Sequence, residues 1–286
     1  LVVALFVADA DALPSLASRL ADIDVHTWLV LDAEQKVSGP ALAAAARAAF
    51  GSSARIGGGT DLYFTELNRE RPDPSVLDVV TFSLNPQVHA MDNQSVVQNL
   101  AAQAVIARDA AGLAGTAALH VGPVTLRPRF NPNATEPDLD VSSTPLPATV
   151  DPRQLSRLAA NWTVASIKYL AEAGTVEAMT YYETTGWRGV VERESGSPQP
   201  ADFPSVPGEP FPVHQALVHL RGFDSVRACT SNLPQLVDGL LLENSAGAQR
   251  LVLVSFSERP MLVKLDGFAT TTAPATANGT AAASGR

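Results

Sequence analysis

The sequence is poor in cysteine, in aromatic residues and in positive charge. Cys229 is the only cysteine among 286 residues, so one chain can form neither an internal disulfide nor a zinc site built on cysteines. Aromatic residues make up only 6% of the chain, and 20 Lys and Arg residues stand against 29 Asp and Glu residues. The net charge of -9 argues against a broad nucleic-acid surface, because phosphates are neutralised by clustered cations. We therefore expect no nucleic-acid partner.

Long hydrophobic runs are also missing. No stretch approaches the ~20 apolar residues that a membrane-spanning helix needs, and the first apolar run, Leu1–Val7, is soon followed by Asp9 and Asp11. The chain also has no basic segment of the kind that opens a secretory signal. We expect a cytoplasmic protein that does not contact a membrane. Because a domain rarely begins within a strand, the start at Leu1 also suggests a fragment of a longer protein.

Short apolar runs alternate with amphipathic helical segments along most of the chain. The predicted strands are Leu1–Ala8, Val25–Leu31, a strand within Arg55–Phe64, Val79–Leu84, Val121–Leu126, Glu177–Tyr182 and Val226–Cys229. This alternation predicts right-handed βαβ units and a mainly parallel sheet. The series is one strand short of a closed (β/α)₈ barrel, so we predict an α/β TIM-type barrel that lacks its first strand. A doubly wound open sheet is the alternative, but no G-x-G-x-x-G follows the first strand.

The predicted helices include two with clear boundaries. One runs from about Ser95 to Ala111, and its apolar residues recur every three to four positions. The other begins at Pro152, with Asp151 as its cap, and ends at Gly174.

The pattern changes after Ser231. Three strand-like segments without intervening helices predict a short antiparallel β region: Gly239–Leu242, Arg250–Phe256 and Met261–Leu265. From Phe268 onward the chain is rich in Thr, Ala, Gly and Ser and almost uncharged, which predicts disorder. We therefore divide the chain into a barrel at 1–232, a β-rich flank at 233–267 and a disordered tail at 268–286.

Polar residues gather where the predicted strands end. Four consecutive strands are followed by such segments, which are Thr60–Asn68, Asn85–Asp92, Arg127–Asn131 and Tyr181–Arg188. Catalytic groups of parallel barrels stand at the carboxyl ends of strands, and a folding core does not require polar groups there. We predict that this rim is the functional face.

Glu66 and Glu183 form a candidate carboxylate pair on the rim. Counted backward from Val226–Cys229 as the eighth strand, Glu66 follows the fourth strand and Glu183 the seventh. Two carboxylates across a barrel mouth suit acid–base chemistry, and a retaining glycosidase would need them about 5–5.5 Å apart. The alternative for Glu66 is a solvated loop carboxylate paired with Arg69.

His89 and Asp92 lie three residues apart in the segment after the next strand. They could act as a base and the group that orients it, or Asp92 could cap the following helix. No H-x-H or H-E-x-x-H spacing supports a metal site, so we predict neither a metal nor another cofactor.

Arg127, Arg129 and Trp187 are candidate substrate contacts. The two arginines alternate along a strand end and would suit a carboxylate, a lactone carbonyl or hydroxyls. They could equally pair with carboxylates inside the barrel. Trp187 could stack on a sugar or pack in the core.

The same rim segments carry a family resemblance. The matching motifs are Ile56–Thr60 with Tyr63–Arg69, then Thr81–Asp92, Val124–Pro132 and Tyr181–Gly189. Together they resemble the D-apionate lactonase (D-apionolactone hydrolase) family over about residues 1–265. The resemblance implies a hydrolase that opens D-apionolactone to D-apionate in apiose catabolism. The barrel is also similar to those of glycoside hydrolase clan A, but Thr65 precedes Glu66 where that clan has asparagine.

Roles can be assigned to residues at the matching motif positions. We predict Glu183 as the general base, Glu66 or His89 as the acid, and Arg127 or Arg129 as support for the oxyanion. The predicted substrate-binding residues are Asn85, Asp92, Arg127, Arg129, Asn131, Tyr182 and Trp187. A small sugar lactone is the expected partner, and the oligomeric state stays open. The alternatives are a glycoside hydrolase that uses Glu66 and Glu183, and a non-catalytic carbohydrate-binding barrel fragment.

Overall fold

Six parallel strands form one sheet in strict chain order. The computed structural model describes residues 1–129 and 146–267. The strands are Val2–Val7 (β1), Thr27–Asp32 (β2), Ile56–Gly59 (β3), Val79–Leu84 (β4), Ala118–Val124 (β5) and Val176–Tyr181 (β6). Each strand pairs with the next one along the chain. This order is typical of a barrel wall, whereas a doubly wound sheet reverses its strand order at a switch point.

Helices lie in the connections between strands. They are Leu13–Arg19 (α1), Pro40–Phe50 (α2), Phe64–Arg69 (α3), Asn93–Gln98 (α4), Leu100–Ala114 (α5), Arg157–Glu172 (α6) and Pro212–Val218 (α7). The helix predicted from Ser95 is two helices, α4 and α5, which meet at Asn99. The helix predicted from Pro152 begins as a short 3₁₀ helix, and Ser156 then adopts an extended conformation and caps α6.

The sheet is curled, as an ion pair across its concave face demonstrates. Arg55 precedes β3 and Glu177 lies in β6, so in a flat sheet three strand spacings of about 4.8 Å would separate their backbones. Nevertheless Arg55 Nη2 donates to Glu177 Oε2 at 2.8 Å. His120 on β5 reaches the same carboxylate, with Nε2 at 3.0 Å from Oε1. The six strands therefore form part of a barrel.

The main core lies between the sheet and helices α5 and α6. Phe82 on β4 and Trp162 on α6 are both fully buried in it. The indole Nε1 of Trp162 donates to the carbonyl of Val96 at 3.1 Å, so its one polar atom is satisfied. Burying a side chain such as Phe82 contributes roughly 1.5–3 kcal/mol. This packing fixes the helix side of β4 to β6.

The glycine run in β3 allows a close approach to β4. Gly59 has φ +121°, and a Cβ there would lie 2.4 Å from the carbonyl oxygen of Thr81. Only glycine tolerates both conditions. The run therefore serves strand packing at the point where the chain turns into the rim.

A separate antiparallel sheet follows the barrel wall. After a small parallel pair, Glu183–Thr185 (β7) and Gly189–Val191 (β8), come Ser225–Arg227 (β9), Val237–Glu243 (β10) and Gln249–Ser255 (β11). The order β11-β10-β9 confirms the predicted antiparallel region.

One predicted strand has the wrong place in the fold, and another is absent. Val226–Cys229 was expected to close the barrel series, but β9 pairs antiparallel with β10, with Val226 opposite Leu242. Strand pairing is non-local, and the apolar run of β10 offers β9 a partner that the local sequence does not reveal. Met261–Leu265 forms no strand, and the side chains of Met261, Leu262 and Leu265 are exposed.

The division of the chain at residue 232 stays a prediction, and the predicted tail at 268–286 lies outside the described residues. None of the helices in residues 1–129 and 146–267 combines the length and the apolar character needed to cross a bilayer.

Candidate functional site

The rim above the carboxyl ends of β3 to β6 contains two neighbouring cavities. The larger, of about 620 Å³, is lined by residues that follow β3 and β4, among them Glu66, Asn85 and His89. The smaller, of about 60 Å³, is lined by residues that follow β5 and β6. Pro128 lines the larger cavity, whereas its neighbours Arg127 and Arg129 line the smaller one, so the chain after β5 separates the two.

Glu66 is a buried carboxyl in the wall of the larger cavity. It lies in α3 and is only 3% exposed, so it is not the solvated loop carboxylate considered as an alternative. Its Oε1 is 3.9 Å from Arg69 Nη1, and its Oε2 is buried with no hydrogen-bond partner among the described residues. An unsatisfied buried oxygen costs free energy that folding does not require. Glu66 therefore has the environment of a functional group.

Asn85 and His89 line the same cavity from the segment after β4. Asn85 Oδ1 accepts a hydrogen bond from the backbone N–H of Gln87 at 3.0 Å, which shapes the turn that leads to His89. The imidazole of His89 is exposed. Of the acid–base residues predicted from the sequence, Glu66 and His89 thus line the larger cavity.

Asp92 caps helix α4. Its carboxylate accepts hydrogen bonds from the backbone N–H and the hydroxyl of Ser95 at 2.9 and 2.7 Å. These bonds hold the pKa of Asp92 below its ordinary value. Asp92 lines neither cavity. Of the two roles considered for it, capping is the one observed.

Arg129 joins the ends of β5 and β3. Its Nη2 donates to the carboxylate of Asp61 and also to the Asp61 backbone carbonyl, the latter at 3.3 Å. Burial raises the pKa of Asp61, and the guanidinium of Arg129 opposes that shift. The internal pairing considered for this arginine is therefore present.

Arg127 pairs with Asp151 in the smaller cavity. Arg127 Nε lies 3.4 Å from Asp151 Oδ2, and Arg127 Nη1 lies 3.5 Å from Met91 Sδ. Asp151 also binds Gln87, whose Nε2 donates to Asp151 Oδ2 at 2.7 Å. Burial opposes ionisation of Asp151, but hydrogen bonds from Arg153 and Gln87 outweigh it and hold its pKa below the ordinary value.

Glu183 and Tyr182 lie side by side at the end of β6. Glu183 is exposed, and its Oε1 forms an ion pair with Arg188 Nη2 at 2.6 Å. Tyr182 has φ +59°, and its hydroxyl lies 2.8 Å from Thr163 Oγ1 on α6. Burial raises the pKa of Tyr182. The Tyr182 hydroxyl thus has a partner in the core, while Glu183 points to the rim.

Trp187 borders the smaller cavity and packs on the core at the same time. Its ring meets Phe203 edge to face, with 6.4 Å between the centroids. Asn131, the remaining predicted substrate contact, lies outside the described residues.

The predicted site residues are therefore divided between two cavities. The larger cavity brings together Glu66, Asn85 and His89, and the smaller one brings together Arg127, Arg129, Tyr182, Glu183 and Trp187. Glu66 and Glu183 were assigned to the ends of the fourth and seventh strands by counting backward from Val226–Cys229 as the eighth. That count no longer applies, because β9 is not in the barrel wall.

Sequence reasoning missed several polar residues of the rim: Asp61, Gln87, Asp151 and Arg153. Asp61 and Gln87 follow β3 and β4 directly, so the rule that selected the rim also points to them. Asp151 gave no such signal, because its carboxylate meets Gln87 across 64 positions of sequence. Within residues 1–129 and 146–267, no group of three or more His, Cys, Asp or Glu side chains could hold a metal ion.

Comparisons with known proteins agree with this architecture. Residues 33–224, about two thirds of the chain, match the family model described as D-apionate lactonase, TIM barrel domain. A D-apionate lactonase of Brucella anthropi is 36% identical over 152 residues, which are 53% of this chain and 25% of the relative. The chain thus spans about a quarter of the length of the curated relative that it matches.

Two solved structures are similar to this chain, and the first of them supports the fold alone. A 4-O-α-L-rhamnosyl-β-D-glucuronidase from Fusarium oxysporum has a TM-score of 0.52 at 11% identity, covering 88% of this chain and 56% of that one. A GH39 β-xylosidase from Caulobacter crescentus has a TM-score of 0.41 at 15% identity, covering 82% and 51%. Together with the sequential parallel strands, the family match confirms the predicted TIM-type barrel class.

Proposed function

The chain belongs to the D-apionate lactonase family, and we propose that it hydrolyses a sugar lactone, converting D-apionolactone to D-apionate in apiose catabolism. The observation that carries the proposal is the polar rim with its cavity of about 620 Å³. Ligand pockets typically measure roughly 300–1,000 Å³, so a five-membered sugar lactone fits. The name of the Brucella anthropi relative supports the same reaction.

The reaction needs three kinds of group. Water must lose a proton as it attacks the carbonyl carbon, the developing oxyanion must be stabilised, and the ring oxygen must gain a proton as the ester bond breaks. The products are the carboxylate and a free hydroxyl of the opened sugar. No step in this sequence requires an oxidant or a reductant.

Glu66 is our candidate for the general acid. It lines the larger cavity, and its Oε2 is buried without a hydrogen-bond partner among the described residues. That oxygen is free to carry the proton that the leaving hydroxyl requires. Asn85, on the same cavity, is a candidate partner for a substrate hydroxyl.

Glu183 remains our candidate for the general base, with His89 as the competing residue. Glu183 is exposed at the rim of the smaller cavity and is ion-paired with Arg188 at 2.6 Å. His89 shares the larger cavity with Glu66, which favours it if the lactone is confined there. Substitution of each residue separates the two assignments.

Arg127 and Arg129 are candidates for binding the oxyanion or the product carboxylate. Each already pairs with one carboxylate, Asp151 or Asp61. A guanidinium has five donors, and Arg127 Nε has no hydrogen-bond partner among the described residues. Holding the arginine in place beforehand would reduce the entropy lost when substrate binds.

The proposal is tested by incubating the purified protein with D-apionolactone and following acid release in a pH-stat, with ¹H NMR to identify the product. Spontaneous hydrolysis without protein and an unrelated five-membered aldonolactone serve as controls. Selective production of D-apionate supports the proposal. Cleavage of aryl glycosides without lactone opening would favour the glycosidase alternative. Saturable lactone binding without turnover would favour the non-catalytic one.

A further inference from the structure

Asp151 lies at the centre of a buried polar network between the two cavities. Its Oδ2 accepts from Gln87 Nε2 and from Arg153 Nη2, both at 2.7 Å, and lies 3.4 Å from Arg127 Nε. Its Oδ1 accepts from Arg153 Nε at 2.8 Å. The side chains of Asp151 and Gln87 are almost completely buried. One carboxylate therefore orders two arginines and an amide.

Arg153 extends the network to the segment that carries His89. Arg153 Nη1 donates to the Met91 carbonyl at 2.9 Å and to Asn93 Oδ1 at 3.0 Å. Its Nη2 donates to Gln87 Oε1 at 2.6 Å. Gln87 and Met91 flank His89 in sequence, so the segment from 87 to 93 is held at both ends by the same guanidinium.

We propose that Asp151 is a positioning residue for the lactonase reaction proposed above: it fixes Arg127 in the smaller cavity and, through Arg153, the His89 segment in the larger one. Within the described residues, the network directly connects the walls of the two cavities. The expected effect on the reaction rate rests on the proposed function, whereas the contacts themselves do not. Hydrogen bonds to ionised groups are stronger than those between neutral groups, so they can hold the side chains of this network in fixed positions.

The chain offers a matched control for Asp151. Asp73 caps a 3₁₀ helix in the same way, with a proline next in sequence and its Oδ1 accepting the backbone N–H of Ser75 at 3.0 Å. Asp151 accepts the backbone N–H of Arg153 at 2.9 Å. An asparagine keeps the capping oxygen at both positions. At 151, however, it turns an N–H₂ group toward the donors of Gln87 and the arginines. Asp73→Asn thus measures the cost of the cap change alone.

The kinetic test compares Asp151→Asn with Asp73→Asn, with rates normalised to folded protein. Displacing groups that act in the transition state lowers kcat, so Asp151→Asn is expected to lower kcat roughly 10- to 100-fold and to change KM less than about threefold. Asp73→Asn is expected to leave both constants unchanged. The proposal is overturned if the two variants have the same kcat and KM.

Amide hydrogen exchange tests the geometry without substrate. Asp151→Asn is expected to accelerate exchange in residues 87–93 at least about tenfold, with no such change in Asp73→Asn. Should Asp151→Asn not fold, Arg153→Met serves instead, because it keeps the cap and removes only the guanidinium link. Unchanged exchange in 87–93 in the folded variant rejects the inference. If the unsubstituted protein opens no lactone, the proposed function fails, while the exchange result still decides the structural link.

Discussion

Arg55 and Glu177 form an ion pair of 2.6 Å across the concave face of the sheet, although β4 and β5 lie between their strands. His120 reaches the same carboxylate from β5. The hydrogen bonds from Arg55 and His120 lower the pKa of Glu177 to about 2. Because Arg55 directly precedes β3, while His120 and Glu177 lie in β5 and β6, the pair records the curvature of the sheet from β3 to β6.

The lowered pKa of Glu177 predicts a pH-dependent contribution to stability. A carboxyl whose pKa is lower in the folded state stabilises the fold at pH above its ordinary value of 4.5, and the contribution is lost as the pH falls toward about 2. We expect Glu177→Gln to lower the free energy of unfolding at pH 7 by about 0.5–1 kcal/mol, a modest amount because the side chain is 46% exposed. Urea denaturation at pH 7 and pH 3 measures the difference.

The exposed Glu70 supplies the control for this substitution. Glu70→Gln should leave the urea midpoint nearly unchanged at both pH values. A stability difference for Glu177→Gln that is as large at pH 3 as at pH 7 would contradict the assignment to ionisation.

Substitution by alanine at two glycines should change the stability of the protein in opposite directions. At Gly59, φ is +121° and a Cβ would lie 2.4 Å from the carbonyl oxygen of Thr81, so Gly59→Ala should cost roughly 2–4 kcal/mol. Gly112 lies within α5 with nothing near its Cβ position. Gly112→Ala should therefore stabilise the protein by about 0.5–1 kcal/mol. Thermal denaturation of both variants checks the signs, and equal effects would contradict the close packing of β3 on β4.

Tyr182→Phe separates a structural role of the hydroxyl from a role in binding. The hydroxyl lies 2.8 Å from Thr163 Oγ1, which also donates to the Ala159 carbonyl at 2.7 Å and so keeps a partner in the variant. We expect a loss of about 1 kcal/mol in the free energy of unfolding. We also expect KM for the lactone to stay within about twofold. A rise in KM of more than about fivefold, with unchanged stability, would instead support the predicted substrate contact.

The barrel wall could be predicted largely because its signals are local. Apolar runs such as Val79–Leu84 match the observed strand, and the rim follows from the ends of such runs. Helix α3 was missed because Leu62, Tyr63 and Phe64 lengthened the apolar run after the glycines. The placement of β9 could not be foreseen, because it depends on β10 as a partner and on no feature of its own three residues.

In the candidate site, too, the residues marked by local sequence could be predicted, and the contacts between distant segments could not. The strand-end rule selected Glu66 and His89, and the motifs around them carried a family resemblance that the family model confirms. Local sequence could not reveal that Glu66 is buried, nor that Asp151 meets Gln87 between the cavities. Such contacts depend on which loops the curled sheet brings together.

Glutamine substitutions at Glu66 and Glu183 test the acid–base assignment directly. Glutamine keeps the shape of the side chain but can neither give nor take the proton. Removal of a general acid or base typically costs 10²–10⁴-fold in rate. We therefore expect kcat for D-apionolactone to fall at least about 100-fold in Glu66→Gln and in Glu183→Gln. The circular dichroism spectrum should stay unchanged in both variants.

Glu70→Gln and His89→Gln complete the comparison. Glu70 directly follows α3, which carries Glu66, and is exposed, so Glu70→Gln should retain full activity and exclude a general effect of lost charge. His89→Gln decides between the two candidate bases. Because His89 shares the larger cavity with Glu66, an inactive His89→Gln beside an active Glu183→Gln would assign the base to His89. The reverse pattern would mean that the lactone reaches the smaller cavity, where Glu183 lies.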